Sequence, residues 1–182
     1  MALPLRSNPP MSGRLPFHPA GAPPAAAPNP GPPGGLRLEV PADPAALAEV
    51  RRAVEAYAAQ AGFDPKAVGD VGLCVNEAMA NVIRHAYRGA GARPILITAD
   101  YLPPAGGRAG GPADCEPARL RVTIRDWGSG LNPSSLPARE HDPCTPGGLG
   151  LICLRQLMDS VEFTPQPDGM LLTMTKNKSS KC

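Results

Sequence analysis

Eleven of the 25 prolines in this 182-residue chain fall before Gly35, in a stretch rich in Ala and Gly. Proline fixes φ and carries no N–H, and the stretch has almost no apolar periodicity, so residues 1–35 predict a disordered tail with no core of its own. Folding is thereby confined to about residues 36–177, with 178–182 a short C-terminal tail. That length accommodates one domain of ordinary size and no second core.

Within this window the apolar pattern changes period several times. Leu36, Leu38 and Val40 alternate with Arg37 and Glu39, which predicts a half-buried strand. Asp43 before Pro44 reads as an N-cap followed by a first-turn proline, and Leu47, Val50, Val54 and Tyr57 recur at helical spacing, predicting a helix over 44–61. Asp64 and Pro65 repeat the signal and open a longer helix, ending near Arg88 and Gly89, with Val71, Val75, Ala78, Met79, Val82 and Ala86 on one stripe. Strands are predicted over 95–102 and 120–126, joined by a Gly- and Pro-rich connection too long for a tight hairpin. After a loop over 131–146 come a helix over 149–157 and a closing hairpin, Val161–Phe163 with Met170–Thr175, turning at Asp168 and Gly169. Strands that meet mostly through hairpin-like links predict an α/β two-layer sandwich, with a mixed, mostly antiparallel sheet and helices on one face.

Formal charge is +2 with both signs interspersed, so the chain lacks the basic footprint of a nucleic-acid binder. No run approaches the roughly 20 apolar residues of a membrane span, and the N-terminus has no signal-peptide core, which predicts a cytoplasmic protein. Five cysteines without paired metal-ligand spacing fit reduced thiols better than a disulfide framework.

Three runs carry possible chemistry, and each also has an ordinary structural explanation. On the long helix, Glu77 and Asn81 are four apart and share a face; an amide oxygen suits a magnesium ion and a carboxylate suits a nearby hydroxyl, yet such pairs also occur on solvated helices. Asp126-Trp127-Gly128-Ser129-Gly130 lies where a strand gives way to a loop. There the carboxylate can accept from an exocyclic amine and the glycines permit close approach to a flat ligand, or the run is a glycine turn. Gly147-Gly148-Leu149-Gly150 precedes an apolar helix, where backbone N–H groups and the helix dipole form a phosphate cradle, or simply a tight helix start. It is neither a Walker A loop nor a dinucleotide fingerprint.

Taken together and in this order, the runs resemble the N, G1 and G2 boxes of the GHKL ATPase superfamily, which has the Bergerat fold. The resemblance is closest to its small anti-sigma factor serine-protein kinases, through Asn76-Glu77-Ala78, Asn81, His85-Ala86-Tyr87, the Asp126–Gly130 run, Gly148-Leu149-Gly150-Leu151 and Leu157-Met158-Asp159. It spans about 36–176. The resemblance implies that Glu77 is the general base toward a substrate hydroxyl, Asn81 the Mg²⁺ ligand and Asp126 the adenine-recognising carboxylate. Gly128 and Gly130 would shape the adenine pocket, Gly147, Gly148, Leu149 and Gly150 would hold phosphates through their backbone, and 131–146 would be an ATP lid. Arg84 lies one turn beyond Asn81, where a cation reaches a phosphate, although a cation also suits the negative end of a helix. One departure is clear: relatives commonly place threonine after the last hairpin's glycine, and here Gly169 is followed by Met170.

The implied function is ATP- and Mg²⁺-dependent phosphorylation of a STAS-domain anti-sigma factor antagonist by a homodimer that also binds a sigma factor. Its alternative is a non-catalytic ATP-binding module that sequesters a regulator.

Overall fold

A computed structural model describes Pro32 and residues 34–87, 93–104, 116–128 and 149–179. Residues 1–31 and Pro33 of the expected N-terminal tail, the segment 131–146 and the glycines Gly130, Gly147 and Gly148 lie outside the described residues.

The element order is β1 (Leu36–Pro41), α1 (Leu47–Gln60), α2 (Pro65–Asn81), β2 (Pro94–Leu102), β3 (Arg119–Asp126), α3 (Leu149–Leu157), β4 (Ser160–Gln166) and β5 (Gly169–Asn177). Both aspartate–proline signals act as read. Asp43 Oδ1 accepts the Ala45 N–H at 2.8 Å, and Asp64 Oδ1 accepts the Ala67 N–H at 2.9 Å. The first signal opens a 3₁₀ turn, Pro44–Ala46, so α1 itself begins three residues later than the periodicity predicts.

The sheet order is β1-β2-β3-β5-β4. All four pairings are antiparallel, where a mixed, mostly antiparallel sheet was expected. The reason is local: α3 delivers the chain to the outer strand β4, and the β4–β5 hairpin then inserts β5 beside β3, so no crossover joins parallel neighbours. Ile95, Ile97 and Ala99 on β2, Leu120, Val122 and Ile124 on β3, and Met170, Leu172 and Met174 on β5 are buried on one face. Val54 of α1, Val71, Val75 and Met79 of α2 and Leu154 of α3 close over them. Burial of one such side chain contributes roughly 1.5–3 kcal/mol, so this layer is what holds the helices to the sheet. The opposite face carries a polar row in register, Arg37, Thr98, Thr123, Thr173 and Glu162.

Lys178, in the expected C-terminal tail, is tied down: its N–H donates to Ala118 O at 2.7 Å and its Nζ to Ala61 O at 3.0 Å. Among the described residues, no helix is long and apolar enough to cross a membrane.

Candidate functional site

The helix that carries Glu77 and Asn81 does not end in α geometry. After Asn81 the chain makes a π turn, Val82–Ala86, in which the Tyr87 N–H reaches Val82 O at 3.1 Å. Such a wide turn holds an extra residue and commonly marks a functional place in a helix. It pushes Ala86 against the end of β3: a Cβ on Gly128 would lie 2.5 Å from Ala86 O. Gly128 is therefore a glycine because the helix end passes over it.

Tyr87 secures this junction. Its hydroxyl donates to Pro94 O at 2.6 Å and accepts the Trp127 N–H at 2.7 Å, linking β2, the helix end and the loop after β3. Burial pushes the phenol pKa up, which keeps the donating proton in place. Arg93 donates to Trp127 O at 2.9 Å, and the Arg125 guanidinium lies 4.9 Å from the centre of the Trp127 ring. Arg125 also bonds Asp126 O and pairs with Asp168 in the β4–β5 turn. Tyr87, Arg93 and Arg125 were not predicted as site residues from their own chemistry. Tyr87 belongs to one of the runs that carry the resemblance, but its supporting role, like those of Arg93 and Arg125, rests on long-range bonds that no periodicity displays.

So fixed, Asp126 ends β3 as the buried charged residue of the domain among those described, 4% exposed. Its Oδ1 accepts the Gly128 N–H at 2.9 Å. Burial raises its pKa, while the Gly128 N–H, the Arg125 guanidinium and the Met170 N–H act in the opposite direction. The result is an oriented acceptor in apolar surroundings, where a hydrogen bond from a ligand counts for more than in water.

Asp126 lines a cleft that opens to solvent. Its walls include Val82, Ile124, Leu151, Leu154 and Leu172, and Asn81 and Asp126 are its polar lining residues among those described. Met170, the residue expected to depart from the threonine pattern, lines the same cleft and pairs with Asp126 across β3 and β5. Thr173 is on the other face of that strand, as the register requires. An apolar slot with a buried carboxylate suits a planar base bearing an amino group.

The first turn of α3 approaches α2 beside this cleft. A Cβ on Gly150 would lie 3.0 Å from Glu77 Oε2 and 3.2 Å from Asn81 Nδ2. Glu77, Asn81 and the Gly150 backbone thus converge on one spot, at the positive end of α3, which favours an anion. An amide beside a carboxylate also offers the oxygen donors that magnesium prefers. Arg84 is not brought in: it is exposed, its Nε donates back to Ala80 O at 3.2 Å, and it does not line the cleft. His85 is exposed as well.

A two-layer fold with this arrangement of helix, strand end and helix start defines a class, and the family model described as Histidine kinase-like ATPase domain matches residues 40–176. The chain belongs to that family. It is similar to the Serine-protein kinase RsbW of Listeria monocytogenes serovar 1/2a, 28% identical over 154 residues, covering 80% of this chain and 88% of the relative. A protein of the same description from Bacillus pumilus is 26% identical over 150 residues, covering 78% of this chain and 84% of the relative. Among solved structures, that of the RsbU and RsbW domains of Rv1364c from Mycobacterium tuberculosis shares the fold, with a TM-score of 0.55 at 18% identity; the match covers 83% of this chain and 34% of that longer one.

Proposed function

We propose that this chain is an ATP-dependent serine-protein kinase that phosphorylates a STAS-domain anti-sigma factor antagonist and, as a cytoplasmic homodimer, also binds the sigma factor. The observation that carries the reading is the convergence of Glu77 and Asn81 on Gly150 beside a cleft containing the buried Asp126. The kinase description of relatives spanning most of the chain supports it.

In this reading Asp126 accepts the adenine amino group, and Val82, Ile124 and Leu172 exclude water from the ring. Backbone N–H groups at the start of α3, Gly150 among them, would hold the phosphates, and the family resemblance implies the same role for Gly147 and Gly148. Asn81 would hold Mg²⁺ through its amide oxygen, and the ion would supply neutralisation of charge on the phosphates. Glu77 accepts the serine hydroxyl proton as the new O–P bond forms and ADP leaves. Positioning and charge neutralisation provide most of the rate in such a transfer. The phosphoserine adds about −1.5 to −2 charges to the antagonist at neutral pH, weakening its hold on the kinase and releasing the kinase for the sigma factor.

The test is incubation with Mg²⁺, radiolabelled ATP and a STAS-domain protein, alongside Glu77→Gln and Asn81→Ala. Label on a partner serine, lost in Glu77→Gln while ATP still binds, is expected. ATP binding by the wild type with no label on any STAS partner would favour a sequestering module instead, a role with which the apolar Met170 beside Asp126 is compatible.

A further inference from the structure

Helices α2 and α3 lie side by side and meet at three levels. At one end Lys176 of β5 donates to Asp70 of α2 at 3.1 Å and to Leu157 O, the last residue of α3, at 2.6 Å. In the middle the Cys74 thiol approaches Cys153 O at 3.9 Å. At the other end Gly150 packs on Glu77 and Asn81. The positions count up along α2 (70, 74, 77) while they count down along α3 (157, 153, 150), so the helices are antiparallel. The outer levels are two turns apart, or about 10 Å.

The three levels differ in kind. Apolar contacts are non-directional, and a thiol–carbonyl contact is weak, so neither fixes how far α3 slides along α2. Lys176 does. Its ammonium sits at the negative end of the α3 dipole, is only 17% exposed, and faces a carboxylate that is 13% exposed. Asp70 is doubly held, because Lys66 also pairs with it at 2.8 Å.

We infer that Lys176 is a positioning residue of the candidate site: by pinning the C-terminal end of α3 to Asp70 of α2, it sets the register that seats the phosphate-facing start of α3 against Glu77 and Asn81. The inference rests on the nucleotide reading given above and deepens it, because it separates the base end of the cleft, fixed by β3 and β5, from the phosphate end, fixed through Lys176.

The experiment compares adenosine with Mg²⁺–ATP as ligands for wild type, Lys176→Met, Lys176→Arg and Asp70→Asn, with thermal unfolding of each. In Lys176→Met the dissociation constant for ATP is expected to rise about tenfold, because a small misplacement of positioned groups costs factors of this size, while that for adenosine changes less than about twofold. Lys66 remains on Asp70 in this variant, so no carboxylate is orphaned. Lys176→Arg, which can donate to both acceptors, is expected to restore most of the ATP affinity. Asp70→Asn keeps the bond to Leu157 O, and the same asymmetry is expected at smaller size. Equal weakening of both ligands would reduce Lys176 to a purely structural role, and unchanged ATP affinity would remove the role altogether. A wild type that binds neither ligand would overturn the nucleotide reading itself, and the inference with it.

Discussion

Replacing Gly150 with alanine is expected to stabilise the fold while damaging the site. Gly150 is the second residue of α3; alanine is preferred over glycine by about 0.5–1 kcal/mol in a helix interior, chiefly through the entropy of the unfolded chain, and the low end of that range applies in a first turn. Against this, the new methyl group would lie 3.0 Å from Glu77 Oε2 and 3.2 Å from Asn81 Nδ2, closer than the 3.4 Å at which ordinary contact begins. Both atoms end flexible side chains, so each is expected to swing aside by a few tenths of an ångström at little cost. The net gain of about 0.5 kcal/mol corresponds to a rise of about 1–2 °C in the unfolding midpoint for a domain of this size. The displaced groups are the proposed base and magnesium ligand, so the rate of phosphoryl transfer is expected to fall about tenfold or more. Circular-dichroism melting and transfer of label from ATP to a STAS partner measure the two quantities. A midpoint lowered by several degrees with unchanged transfer would refute the reasoning, because Gly150 would then serve packing and not the site.

Asp126→Asn is expected to weaken ATP binding by about ten- to a hundredfold in calorimetry, the worth of a hydrogen bond to a charged acceptor. Tyr87→Phe removes the partner of both Pro94 O and the Trp127 N–H, and urea unfolding is expected to show a loss of about 1–3 kcal/mol. Stability is expected to respond to pH through two aspartates with opposite signs. Asp70, held below the ordinary 3.8 first by its hydrogen bond from Lys66 and then by Lys176, contributes stability that is complete above 3.8 and lost as pH falls through its lower folded value. Asp126, raised by burial, opposes folding once ionised, so stability falls as pH rises from 3.8 through its higher folded value. Melting from pH 2 to 7 is therefore expected to show a flatter acid limb in Asp70→Asn and a smaller decline above 3.8 in Asp126→Asn. Burial pushes the Cys74 thiol up to about 12, so mass spectrometry after iodoacetamide at neutral pH is expected to find it unmodified until the chain is unfolded.

Much of the fold was legible because its signals are local. The aspartate caps at Asp43 and Asp64, the alternation along β1 to β3 and the hairpin turn at Asp168 each depend on neighbours a few residues away. What was not legible depends on contacts across the fold. The π turn after Asn81 comes with the approach of Ala86 to Gly128, far away in sequence, and nothing in the helical stripe announces it. Strand order was hidden for a similar reason, since α3 between β3 and β4 looks like a crossover until β5 is seen beside β3. Within the site, Glu77, Asn81 and Asp126 stood out because they sit in recognisable runs. Tyr87 stood in such a run but its bonds to Pro94 and Trp127 did not show, and nothing local marked Arg125 or the pairing of Lys176 with Asp70, 106 positions away. The motif readings at Gly130, Gly147 and Gly148 fall outside the described residues.

The pairing of β3 with β5 also governs when the site comes into being. Arg125 and Met170 are neighbours there, although 45 positions separate them along the chain. Closing a loop of that length costs roughly 3 kcal/mol beyond a constant term, and this is repaid only as the ladder between the strands zips up. Because Asp126 meets Met170 at one end of that ladder, the floor of the cleft is made only once β5 has paired with β3. A chain whose β1–β2 and α1–α2 contacts have formed still has no place for a base. Ligand capture then tracks the completed domain, and a bound nucleotide would stabilise only that state by mass action, acting as a molecular receipt for finished folding.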